Sequence, residues 1–270
     1  MESFSFCNGS LWDQVNVEDR QCVMWKFPPR SFFVERIDSQ WHVLTVMNEM
    51  FLETTESPSR CFIDRGRKPE STVWRHYLLK DLCPLQAIPV LPDKPLVVRS
   101  DRPLTLLAGE NALFFLHVPV FFRLIAVVKR KPIIFEEPIS IMNRTWFGDP
   151  FTGDLCYSLY SRLFQTIDSV PISGFEAICP LFISNESETE LAFTKICLHT
   201  EAAAVYLGAR LWTNLISVVF KGSEQTTQIQ IDRAAPPYEK GLARICEARE
   251  QIENRLMRRT FSMFKYHSEF

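Results

Sequence analysis

The stretch Thr145-Trp-Phe-Gly-Asp-Pro-Phe-Thr-Gly-Asp-Leu-Cys-Tyr157 lies between two runs that have the composition of β-strands. Its two glycines can take backbone angles that are closed to other residues, and its Asp-Pro pair favours the start of a turn. Its four aromatic side chains supply apolar surface that can hold such a turn against a core. The stretch therefore predicts a structured corner between two strands rather than a linker.

Upstream of this corner, residues 96–142 give the strongest β signal of the chain. Short runs of Val, Ile, Leu and Phe are separated by turn sequences, among them Ala108-Gly-Glu-Asn111, which has the composition of a hairpin connection. Short strands with a turn signal every eight to twelve residues are typical of a sandwich or a barrel. Prolines at five positions between residues 84 and 103 exclude a helix from that segment.

Downstream of the corner the strand pattern continues. Residues 155–164 carry apolar groups on both faces, which indicates a central or sheet-bridging strand. Residues 177–183 and 190–198 surround the polar turn Ser184-Asn-Glu-Ser-Glu-Thr189 and predict a hairpin.

The apolar spacing changes after Pro236-Pro237. Leu242, Ile245, Ile252, Leu256 and Met263 fall on a 3-4 spacing, which predicts an amphipathic helix over residues 238–264. The predicted fold is all-β, with one or more antiparallel β-sandwich-like units and a C-terminal α-helix. We divide the chain into an N-terminal β-rich domain (1–165), a second β-sandwich-like unit (166–235) and a helical tail (236–270).

Composition excludes several classes of protein. A formal charge of −2 over 270 residues provides no global field that would attract nucleic acid. The eight cysteines include no C-x-x-C pair and the first residues lack the pattern of a signal peptide, which indicates buried, reduced thiols in the cytoplasm and no metal site. The apolar run 112–128 is no transmembrane segment, because His117, Pro119 and Arg123 interrupt it.

No known catalytic or cofactor-binding motif occurs, which argues against an enzyme, and we assign no catalytic residue and no cofactor. Asp149 and Asp154, with His117 on a neighbouring strand, could act as paired carboxylates, but aspartates in these positions are more often turn residues. Aromatic and polar side chains near the corner could instead form a ligand platform, with core packing as the alternative. The candidate ligand-binding residues are Trp146, Phe147, Asp149, Phe151, Asp154, Arg210 and Trp212.

Several short motifs occur in a fixed order along the chain: Leu96-Val-Val-Arg99, His117-Val-Pro-Val120, Thr145-Trp-Phe-Gly-Asp149 with Gly153-Asp-Leu-Cys-Tyr157, Ala177-Ile-Cys-Pro180 with Ile183-Ser-Asn185, and Arg210-Leu-Trp212. This order resembles a prokaryotic family that is catalogued as a domain of unknown function. The resemblance spans about residues 84–232, and its middle motif is the most specific. No activity is attached to that family, so the resemblance implies a single fold and an intracellular location only.

These observations lead to three hypotheses about function. The first is a non-enzymatic, intracellular β-sandwich module for binding or protein interaction, with a protein partner or self-association through the helix at residues 238–264. The second is a sandwich that binds a small ligand or a sugar at the corner formed by residues 146–154. The third is a carboxylate-dependent hydrolase.

Overall fold

The computed structural model describes residues 5–6, 10–48, 57–63, 69, 73–79, 83–148, 151, 153–222, 227–250, 256–258 and 261–263. Within them the regular structure is strand, with two short 3-10 turns at Ile167–Ser169 and Thr200–Ala202. The chain divides into two units that are interleaved in sequence: Met1–Val90 with Phe121–Ile141, and Leu91–Val120 with Met142–Phe270. The consecutive segments 1–165, 166–235 and 236–270 that the sequence suggests follow a different division.

The first unit contains two sheets. A six-stranded sheet has the order β1-β6-β3-β4-β5-β7, and a four-stranded sheet has the order β12-β11-β8-β2. Their strands are β1 (Ser5–Phe6), β2 (Gln14–Val15), β3 (Cys22–Lys26), β4 (Arg30–Ile37), β5 (Gln40–Met47), β6 (Ser59–Ile63), β7 (Arg75–Leu78), β8 (Leu85–Val90), β11 (Phe121–Ala126) and β12 (Ile133–Pro138). The intervening β9 (Leu96–Leu106) and β10 (Asn111–Pro119) belong to the second unit.

Aromatic rings fill the space between these two sheets. Phe32 of β4 stacks on Phe122 of β11 with ring centroids 4.4 Å apart, and Trp25 of β3 meets the same ring edge-on at 5.4 Å. Alternate side chains of a strand point to opposite faces, so the inward set of each strand forms this core. The first unit is therefore a β-sandwich, and its core contains several of the chain's many phenylalanines.

The second unit also contains two sheets. One has five strands in the order β13-β14-β9-β16-β23; the other has eight, in the order β21-β17-β18-β15-β19-β20-β22, with β10 also paired to β15. The further strands are β13 (Asn143–Phe147), β14 (Asp154–Tyr160), β15 (Glu176–Asn185), β16 (Leu191–Leu198), β17 (Val205–Leu207), β18 (Leu211–Thr213), β19 (Ile216–Phe220), β20 (Thr227–Ile231), β21 (Ala243–Cys246), β22 (Leu256–Arg258) and β23 (Phe261–Met263).

Two connections predicted as hairpins are arches that pass from one sheet of the second unit to the other. β9 pairs with β16 and β10 pairs with β15, so the turns at residues 107–110 and 186–190 each join strands of different sheets. Asn185 lies where the arches meet, and its backbone N–H and C=O pair with Glu110 and Gly109. Glycine, asparagine and serine serve both kinds of turn, which is why the sequence did not distinguish an arch from a hairpin.

The predicted C-terminal helix is wrong. The described part of residues 238–264 contains turns and the strands β21, β22 and β23, which pair with β17, β20 and β16. Gly241 has φ of 75°, a left-handed conformation that interrupts an α-helix. Hydrogen-bond partners at three sheet edges outweigh the helix propensity that the Ala, Glu, Arg and Leu residues give this segment. The hypothesis of self-association through this helix is therefore abandoned.

The described strand pairs are mainly antiparallel, but three of them are parallel. β14 runs parallel to β9, and β15 runs parallel to β18 and β19. These pairings follow from the arches, because a chain that returns through the other sheet can re-enter the first one in the same direction. In the described part of the chain, no helix has the length and apolar character needed to cross a membrane.

Candidate functional site

The predicted corner is the turn of an antiparallel hairpin between β13 and β14. Phe147 and Cys156 are buried on one face of the hairpin, where they pack with Val97 and Cys197. Trp146 and Leu155 lie opposite each other on the other face, and 49% and 41% of their surfaces are exposed. The hairpin therefore combines an anchored face with an apolar pair that is open to solvent.

The tip of this hairpin is tight. Gly148 has φ of 99°, and a Cβ atom built on it would lie 3.3 Å from the Cα of Gly153. Any other residue would be strained at Gly148, as the glycine pattern of the sequence predicted. Phe151 is described at the tip and is 94% exposed, whereas Asp149 lies outside the described residues.

β13 stands at one end of its sheet, and among the described strands it pairs with β14 alone. Arg144 is exposed two residues before Trp146, so both side chains point to the same face of this edge strand. The edge thus presents an arginine and a tryptophan on one face, about two residues apart along the backbone.

Two of the predicted site residues lie elsewhere. Trp212 on β18 is buried, its Nε1 donates to Glu239 Oε2 at 2.7 Å, and its ring stacks on Tyr238 at 6.0 Å. Arg210 donates to the backbone oxygen of Ile167 at 3.4 Å. Trp212 belongs to the eight-stranded sheet and Arg210 lies half-buried in the turn before β18, so the predicted set is divided between the exposed hairpin and the other sheet.

The paired-carboxylate arrangement is not assembled by the described residues. Asp154 begins β14, whereas His117 lies on β10 of the other sheet, with its Nδ1 3.6 Å from Glu176 Oε2. In the part of the chain that the structure describes, no three His, Cys, Asp or Glu side chains are close enough to hold one metal ion together.

A pair of thiols lies beneath the buried face of the hairpin. Cys156 Sγ and Cys197 Sγ are 4.0 Å apart, and both residues are fully buried. The hydrogen bond from Cys197 lowers the pKa of Cys156, while donation to Cys156 and burial together raise the pKa of Cys197. The pair therefore shares one proton more readily than it loses two.

Next to Cys197 lies a buried polar cluster formed by His199, Thr200 and Glu201. His199 Nδ1 is 2.8 Å from Glu201 Oε1, and both side chains are more than nine-tenths buried. Among the described residues, His199 Nε2, Thr200 Oγ1 and Glu201 Oε2 find no hydrogen-bond partner. Buried polar atoms without partners are uncommon in folded proteins and mark a place where water, an ion or another group completes the bonding.

Sequence reasoning missed this cluster because it assigned His199 no role and treated the cysteines as buried, reduced thiols. Cys197 lies in β16, whereas His199 and Glu201 lie at the 3-10 turn that follows it, so period-two spacing does not predict their grouping. Cys156 could not be added from the sequence, because β9 separates its strand from that of Cys197.

Comparisons with known proteins give one result. No curated protein matches the chain, and no solved structure matches it. A family model described as "Protein of unknown function (DUF432)" matches residues 11–265, which covers nearly the whole chain and agrees with the resemblance seen in its motifs. The chain therefore belongs to this family of proteins of unknown function.

Proposed function

We propose that this protein is a β-sandwich interaction module that binds an extended peptide segment of a partner protein along β13. The observation that carries the proposal is the half-exposed pair of Trp146 and Leu155 on a hairpin at the edge of a sheet. A strand at a sheet edge offers backbone N–H and C=O groups to an added strand, and this pairing is a common mode of peptide recognition.

The side chains of the edge indicate the chemistry of the peptide. In an added strand, residues two positions apart face the same side and would lie against Trp146 and Arg144. An apolar residue fits the indole surface, and an acidic residue two positions away fits the guanidinium. The proposed occupant is therefore an extended segment in which a carboxylate and an apolar side chain alternate with other residues.

The hairpin is suited to binding because its other face is fixed. Phe147 and Cys156 are buried beneath it, and Gly148 sets the turn, so little conformational entropy is lost when a ligand orders the edge. Covering the exposed part of Trp146 would contribute about 2 kcal/mol at the usual value per unit of apolar area. Tryptophan is also among the residues that most often dominate binding interfaces.

A reducing compartment is part of this proposal. The sequence predicts reduced thiols in the cytoplasm, and we propose the same compartment for the peptide partner.

The test uses short synthetic peptides and fluorescence anisotropy. The probe is a fluorescently labelled peptide built mainly of threonine so that it is extended. It contains one Glu and one Leu two positions apart. We expect the full-length protein to bind it, and Trp146→Ala to weaken binding about 10- to 30-fold, as loss of about 2 kcal/mol requires. Tyr160→Ala, which removes an exposed ring from the opposite face of the same hairpin, should leave affinity unchanged.

Two modified peptides test the mode of binding. Exchanging Glu for Lys should weaken binding to the wild type and restore it in Arg144→Glu. Methylating the backbone nitrogens of alternate peptide residues should abolish binding for one of the two alternate sets, because strand pairing uses every second N–H. If both methylated sets bind normally, or if a neutral oligosaccharide binds through Trp146 while the peptides do not, the proposal is wrong.

A further inference from the structure

The thiols of Cys156 and Cys197 are arranged for a bridging atom rather than for a disulfide. Their sulfur atoms are 4.0 Å apart, whereas a disulfide needs about 2.05 Å. Metal–sulfur bonds of about 2.3 Å let one ion join sulfurs up to about 4.6 Å apart. The observed separation lies within the range of a single bound ion.

The topology of the sheet supports the same conclusion. Cys156 lies on β14 and Cys197 on β16, and both strands flank β9. Neighbouring strands are about 4.8 Å apart, so these two backbones are separated by roughly twice that spacing. A disulfide seldom forms across Cα distances above about 7 Å, so closing one here would displace a central strand. An ion extends the reach of both side chains and requires no such movement.

From these observations we propose that Cys156 and Cys197 form a binding site for one thiophilic monovalent metal ion, of which Cu(I) is the representative. Soft sulfur ligands select such ions. Zn²⁺ sites in proteins use three or four protein ligands, and the described residues provide no such group. Binding converts two thiols and one Cu(I) ion into a sulfur–copper–sulfur bridge and releases two protons to solvent, with no change in oxidation state.

The primary experiment titrates metal-free, reduced protein with Cu(I) against a coloured Cu(I) chelator. We expect tight binding by the wild type and a loss of affinity of at least about 100-fold in Cys156→Ser and in Cys197→Ser, beyond what residues supporting a ligand typically cause. Cys179→Ser is the matched control, because Cys179 is a fully buried thiol on β15 of the other sheet. Its affinity should equal that of the wild type.

X-ray absorption at the copper edge provides a readout that needs no variant. The wild-type complex should show two sulfur neighbours for each copper ion, and this measurement decides the question if a serine variant fails to fold. Coordination by nitrogen or oxygen alone would overturn the proposal. So would Zn²⁺ binding more tightly than Cu(I) through the same cysteines, or equal affinities in wild type and variants. None of these outcomes depends on peptide binding at β13.

Discussion

The two units of this protein join their sheets by different means. In the first unit the sheets meet through aromatic rings, and the polar contacts of Glu137 with Thr45, Arg75 and Arg30 lie at a partly exposed rim. In the second unit the fully buried amide of Asn185 joins the arches that connect the sheets. Packing between apolar side chains tolerates substitutions that conserve volume. A hydrogen bond from a side-chain amide instead depends on which atom donates and which accepts.

The largest effect is expected in the aromatic core of the first unit. Phe122 is fully buried and contacts Phe32 and Trp25, so Phe122→Ala should lower the free energy of unfolding by about 3–5 kcal/mol through lost transfer energy and a cavity. Phe122→Leu, which keeps most of the volume, should lower it by roughly 1–1.5 kcal/mol. Urea titration followed by circular dichroism measures both values.

Ile133→Ala is the control for this prediction, because the side chain is 55% exposed on the neighbouring β12. Its effect should stay within about 0.5 kcal/mol. A loss below about 1.5 kcal/mol for Phe122→Ala would show that the sheets of the first unit do not depend on ring packing.

The stability of the second unit should instead depend on single hydrogen-bonding atoms. Asn185 Nδ2 donates to the backbone oxygens of Leu106, Leu107 and Thr189, at 3.0, 3.0 and 2.8 Å. Asn185→Ala leaves these oxygens without their donor and should lower the free energy of unfolding by about 2–3 kcal/mol. Asn185→Asp has nearly the same shape but places a charged acceptor against three acceptors, so it should destabilise at least as much.

A substitution that conserves the shape of the side chain should therefore affect the two units differently. Phe122→Leu should be mild and Asn185→Asp severe, whereas equal effects would remove the distinction between them. Asn143→Ala, at an exposed position on β13, is the control for the loss of an asparagine and should change stability little. Urea unfolding of these three variants side by side makes the comparison.

The sequence predicted the elements of this fold better than their connections. The period-two pattern identified an all-β protein, and the glycines at Gly148 and Gly153 predicted the tight corner that the structure contains. It did not predict that the turn at Asn185 is an arch, because the bonds of this side chain to Leu106 and Leu107 span almost eighty residues of chain. Local composition is the same whether the following strand pairs with its predecessor or with another sheet.

The wrong helix at the C-terminus and the division of the candidate site share a cause. Residues 243–246 form a strand because β17 offers an edge, and nothing in their own sequence shows that edge. Trp212 was placed in a ligand site, but Glu239, far along the chain, accepts its N–H and keeps it in the interior. Residues whose role is fixed by a distant partner are those that a single sequence describes least well.

The smallest expected effect on stability comes from the hydrogen bond between Tyr157 and Asp93. This hydrogen bond is partly exposed, whereas the side chain of Asn185 is fully buried. Tyr157 donates to Asp93 Oδ1 at 2.8 Å, and Lys94 is 2.7 Å from Asp93 Oδ2. Burial alone would raise the pKa of Asp93, but the hydrogen bonds from Lys94 and Tyr157 outweigh it and lower that pKa. Burial and the same bond raise the pKa of Tyr157 to about 12.

The two pKa shifts have opposite directions, so the two groups lose their contributions to stability at opposite ends of the pH range. The lowered pKa of Asp93 means that its contribution is present above its unfolded value of about 3.9 and is lost as the pH falls through the folded value. The raised pKa of Tyr157 means that its contribution is present below about pH 10 and is lost as the pH rises towards about 12.

We therefore expect Tyr157→Phe to lower the free energy of unfolding at neutral pH by about 0.5–1 kcal/mol, discounted for the exposure of Asp93. It should also remove the alkaline loss of stability that the wild type shows, since phenylalanine does not ionise, whereas Tyr160→Phe at an exposed position should follow the wild-type curve. Urea midpoints measured from acid to alkaline pH test this expectation. If Tyr157→Phe costs as much as Asn185→Ala, exposure does not weaken polar contacts in the second unit, and the contrast between a buried amide and a surface hydrogen bond fails.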